Sequence, residues 1–101
     1  MTNSVLNQFI QEKSRPAGSI KLFKPQDAEK LVRLLISAGR KVHGVDGVFV
    51  NEEGHRPSME DSISTSDLYN TGRPGKEIET KVCKFIEERA SKKNLFFEVV
   101  F

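Results

Sequence analysis

Two amphipathic stripes, far apart in the chain and each flanked by short β-rich segments, commit this sequence to a mixed α and β architecture. From Pro25 to Ala38 the apolar residues Ala28, Leu31, Val32, Leu35 and Ala38 recur at the three-and-four spacing of one helix face. Pro25 suits the first helical position, Asp27 and Glu29 face the positive helix end, and Gly39 supplies the left-handed stop. From Gly75 to Lys93 a second stripe runs through Ile78, Val82, Phe85, Ile86 and Arg89/Ala90. Lys92 and Lys93 sit favourably at its C-terminus, and Asn94 can close it. A shorter helix over Ser4–Glu12 would bury Leu6, Phe9 and Ile10.

The segments between the stripes read as strands. Ser19–Phe23 follows a Pro-Ala-Gly turn, and Lys41–Val50 is valine-rich but interrupted by Gly44 and Gly47, which signals a bulge or kink. Asn51-Glu52-Glu53-Gly54 reads as a type I turn returning a strand over His55–Met59, and a two-residue hairpin at Asp46-Gly47 is the competing reading. Leu95–Phe101 carries Glu98 as its sole charge and reads as an inner strand. Residues 60–75 have little period and read as a long loop; residues 1–18 read as a helical N-terminal extension. The expected fold is α+β: a mainly antiparallel four-stranded sheet with two helices on one face, in the order (α)-β-α-β-β-α-β. This is the ferredoxin-like arrangement or a variant of it.

With 101 residues the chain makes a single domain, and no apolar run approaches the ~20 residues that cross a bilayer. No basic stretch followed by an apolar core opens the sequence, so a secretory signal is not expected. Cys83 is the only cysteine, which points to a reducing compartment, the cytoplasm.

The net charge of +2 conceals an uneven distribution. Residues 1–45 are basic, residues 71–101 mildly so, and residues 46–70 hold Asp46, Glu52, Glu53, Glu60, Asp61 and Asp67 against Arg56 alone. Such a segment attracts cationic surfaces and repels phosphate. The candidate partner-binding residues are therefore Asp46, Asn51, Glu52, Glu53, Arg56, Glu60, Asp61, Asp67 and Tyr69, with the tyrosine and arginine as anchors.

Catalysis finds little to work with. His43 and His55 have no zinc spacing and one cysteine forms no Cys-rich metal site, so no metal and no cofactor is expected. His55 beside Arg56 reads as a solvated turn residue, His43 as a half-buried strand residue, and Cys83 as a structural thiol. Gly44-Val45-Asp46-Gly47 matches the bare G-x-x-G of a nucleic-acid clamp, but its aspartate would repel phosphate, and tight-turn glycines explain it better. The chain is read as a binding protein and not an enzyme. An RNA-binding or regulatory module using the sheet face with Lys21, Lys24, Arg40 and Lys41 is the alternative, although the aromatic and basic run of such modules is missing.

The run Ala38-Gly39-Arg40-Lys41-Val42-His43-Gly44-Val45-Asp46-Gly47-Val48-Phe49-Val50-Asn51, followed by Gly54-His55-Arg56-Pro57, resembles a bacterial immunity protein signature. It is similar to the immunity protein 40 family, and more loosely to the immunity partner of the colicin that cleaves tRNA anticodons. The likeness spans residues 26–101. It implies an inhibitor that binds the C-terminal domain of a cognate toxin delivered by a neighbouring bacterium, a ribonuclease, with no role for a membrane. By the same resemblance Gly44, Asp46 and Gly47 would shape the turn, while Asn51, Arg56 and Ser62–Asp67 would correspond to the polar surface.

Overall fold

The computed structural model describes residues 2–72 and 74–101; Met1 and Arg73, which belong to the expected extension and the expected loop, lie outside them. In chain order the elements are α1 (Thr2–Lys13), β1 (Arg15–Ala17), β2 (Ile20–Leu22), α2 (Pro25–Ser37), β3 (Gly44–Asn51), β4 (Gly54–Ser64), α3 (Ser66–Asn70), α4 (Gly75–Glu87) and β5 (Leu95–Val100). No helix among the described residues is long and apolar enough to cross a membrane.

The stripe of α2 does what its period predicts. Leu31, Val32 and Leu35 are fully buried against Ile78, Val82 and Ile86 of α4 and against Val45, Phe97 and Val99 of the sheet. Each such side chain contributes about 1.5–3 kcal/mol on leaving water. Phe9 of α1 stacks on Phe23, with ring centroids 6.3 Å apart, and closes one end of this core.

The structure is α+β, but its strands form two small antiparallel sheets rather than one of four strands. One is the β1–β2 hairpin; the other has the order β4-β3-β5, so β3 is the inner strand and β5 lies beside it. The expected first strand therefore does not take the central place that a ferredoxin-like sheet requires. It touches β5 only through a bridge between Phe23 and Phe97, whose backbone groups exchange two 2.8 Å hydrogen bonds. Two local features explain the difference. Gly18, with φ of 64°, turns Arg15–Ala17 back as a nearby partner, and Pro25 starts α2 before β2 can extend along β5.

Two further expectations are corrected. Residues 60–64 belong to β4 and Ser66–Asn70 to α3, so the stretch 60–75 is not a continuous loop. Ile63, opposite Val45, and the hydroxyls of Ser58, Ser62 and Thr65 organise it. Likewise α4 ends at Glu87, short of Lys93. The Arg89 guanidinium folds back to donate to the Phe85 carbonyl at 3.1 Å, and turns lead to Asn94, which takes a φ of 64°.

Candidate partner-binding surface

Alternation along β3 and β5 decides which residues face the helices. Val45 opposite Val99, Gly47 opposite Phe97 and Phe49 opposite Leu95 line the helix side; Asp46 opposite Glu98 and Val48 opposite Phe96 face away. On that far side the β1–β2 hairpin covers one end, with Arg15 5.5 Å from the Phe96 ring centre and Leu22 fully buried. The other end, around Asp46 and Glu98, is left open.

The β3–β4 turn forms at Asn51–Gly54. Asn51 Oδ1 accepts the Glu53 N–H at 2.9 Å, which fixes the turn and leaves both Glu52 and Glu53 side chains in water. Beside them, Arg56 lies over the Phe49 ring at 5.6 Å.

Further along, the ladder slips. Val45 pairs with Ile63, yet Gly47 pairs with Ser58, so Met59–Ser62 bulges opposite the single residue Asp46. Gly47 makes room for this, because a Cβ there would stand 2.6 Å from both Cβ and the carbonyl oxygen of Asp61. Met59 is thrown outward and is 92% exposed, while Asp61 turns inward and is 1% exposed. Its carboxylate accepts from Ser58 at 2.7 Å, from Arg89 Nε at 3.1 Å and from Lys92 Nζ at 2.7 Å. Burial pushes this carboxyl up, but the hydrogen bonds from Lys92 and Ser58 and the charges of Lys92 and Arg89 outweigh it and hold it below the usual range. Asp61 thus fastens the bulge to the end of α4 and offers nothing to a partner.

Tyr69 is half-buried and also has an internal task. Its hydroxyl accepts the N–H of buried Val42 at 2.7 Å, while Thr65 Oγ1 donates to the Val42 carbonyl at 2.6 Å. His43 meets its ring edge-on, and Lys41 lies 5.4 Å over it.

What remains in water from the acidic segment is Asp46, Glu52, Glu53, Glu60 and Asp67, and none of these five carboxylates forms an ion pair with a described residue. Two features escaped the sequence reading. Glu98 faces Asp46, a placement foreshadowed only by its being the lone charge of β5, and Met59 gives no signal, because its exposure follows from the bulge.

Cys83 is buried, its thiol pushed up to about 11 by burial and by the nearby carboxylates of Glu29, Glu79 and Glu87 against the opposing charge of Arg33. Among the described residues no group of three or more His, Cys, Asp or Glu could hold a metal ion. Lys21, Lys24, Arg40 and Lys41 are exposed. The rings that could stack on bases are already capped by cations: Phe96 by Arg15, Phe49 by Arg56, Phe101 by Arg40 and Tyr69 by Lys41.

The chain matches no protein-family model, and comparison with curated proteins and with solved structures finds no similar chain.

Proposed function

We propose that the chain is an immunity protein that binds a cognate bacterial toxin domain, a ribonuclease, in the cytoplasm and blocks its cationic active site. The observation that carries this reading is the set of five carboxylates, Asp46, Glu52, Glu53, Glu60 and Asp67, that form no ion pair with a described residue and lie between residues 46 and 67 of the sequence. A surface with charges left unneutralised by its own fold steers a positive cleft toward it and competes with phosphate for it. No chemistry is asked of the inhibitor in this reading. The capped aromatic rings weigh against the RNA-binding alternative, which needs open faces for base stacking.

The test is association with a toxin domain encoded beside this chain. Reversing Glu52, Glu53, Glu60 and Asp67 to lysine should slow association at least tenfold, and the wild-type rate should fall as salt screens the field beyond ~8–10 Å. Toxin binding untouched by these reversals, together with tRNA binding lost on neutralising Lys21, Lys24, Arg40 and Lys41, would overturn the reading.

A further inference from the structure

The open end of the far sheet face combines two features that protein surfaces seldom place together. The first is a like-charge pair in direct register. Asp46 and Glu98 oppose each other across β3 and β5, where side chains stand about 4.5–5.5 Å apart at Cβ. Neither forms an ion pair with a described residue. Burial, and then the charge of Asp46, push the Glu98 carboxyl up, as expected of a carboxylate without its cation.

The second feature does not depend on charge. Met59 at 92% and Val100 at 37% exposure are large apolar side chains in water, and both line a hollow with Asp46. Asp46, Met59 and Val100 line one hollow of about 420 Å³ with His43, and Glu98 and Phe101 line another of about 230 Å³ with Lys21. A thioether carried outward by a four-residue bulge thus stands next to an acid pair that forms no ion pair with a described residue.

From this juxtaposition we infer that the Asp46–Glu98 pair, walled by Met59 and Val100, is the seat for an arginine side chain of the protein partner. The inference rests on the immunity reading for the identity of that partner, and on the sheet face alone for the chemistry. A guanidinium can donate to two carboxylates at once through its planar fork, and its three methylenes can lie on Met59 and Val100. The like-charge repulsion that the free chain carries is then relieved on binding, so the same two residues weaken the free fold and strengthen the complex.

The probe is N-acetyl-arginine amide, with the uncharged citrulline analogue as control, titrated into the full-length chain and followed by NMR at the carboxyl carbons and methyl groups. Shifts should concentrate at Asp46, Glu98, Met59 and Val100, the Glu98 titration should move to lower pH, and citrulline should do neither. D46N and E98Q should abolish the response while leaving the chain at least as stable to urea, which separates loss of the seat from loss of the fold. Responses equally large at Glu52 and Glu53, or equal for citrulline, would overturn the inference. Against the co-encoded toxin domain, D46N and E98Q should each weaken binding at least tenfold. A toxin domain that binds wild type and both variants alike removes the seat and spares the immunity reading. A chain that takes the arginine probe at the pair but ignores the toxin domain keeps the seat and removes that reading.

Discussion

Lys92 Nζ lies 2.7 Å from Asp61 Oδ1, joining the turns beyond α4 to the bulge of β4 across a span of 31 residues. With Arg89 on the same oxygen at 3.1 Å, the carboxylate is fully paired although it is buried. Asp61→Asn should therefore destabilise the fold by about 1–3 kcal/mol, less than the 3–5 typical of a broken buried pair, because Lys92 and Arg89 keep access to water. The sign of its pH dependence follows from a carboxyl held below its ordinary value. Its contribution is present above about pH 4, the ordinary value, and is lost as pH falls through the folded value. Urea unfolding of both proteins at pH 7 and pH 2.5 should show the gap narrowing in acid.

Glu29 titrates in the opposite sense. Burial, the hydrogen bond to Glu87 and the Glu87 charge raise its carboxyl, against the pull of Arg33. A raised folded value favours the folded state below the ordinary carboxyl range, and that advantage is lost as pH rises through it. Glu87→Gln removes the repulsion between α2 and α4 while keeping an amide that can donate to Glu29. The variant should gain about 0.3–1 kcal/mol at pH 7 and nothing near pH 4. Thermal unfolding across that interval checks this, and a uniform gain at every pH would point away from Glu29.

Tyr69→Phe should cost about 1–2 kcal/mol, since it strands the Val42 N–H in the core. The ring stays, so an exposed contact made by its face would survive. A variant with native urea stability but weakened toxin binding would move Tyr69 from the scaffold to the interface.

The sequence is most transparent where one short stretch carries the whole instruction. Pro25, the stripe and Gly39 place α2 to within a residue, and Asn51-Glu52-Glu53-Gly54 identifies the turn because an Asn side chain and a glycine act locally. It is opaque where distant residues decide. Asp61 looks like its exposed neighbours until Arg89 and Lys92, 28 and 31 positions away, are folded onto it. Phe85 fits the apolar stripe of α4 yet is only half-buried, and its cover comes in part from the Arg89 guanidinium, 3.7 Å from the ring centre. The β1–β2 hairpin is illegible for another reason: three residues containing a proline establish no period.

The bulge has a consequence beyond the surface that it shapes. β4 is an outer strand of its sheet, and an unbroken outer strand invites copies of the same chain to add on. Here Pro57 offers no N–H, and two residues later the ladder leaves its line, so β4 presents no unbroken edge to a neighbour. The irregularity that pushes Met59 into water thereby makes this edge of the sheet a poor template for strand addition by a second copy.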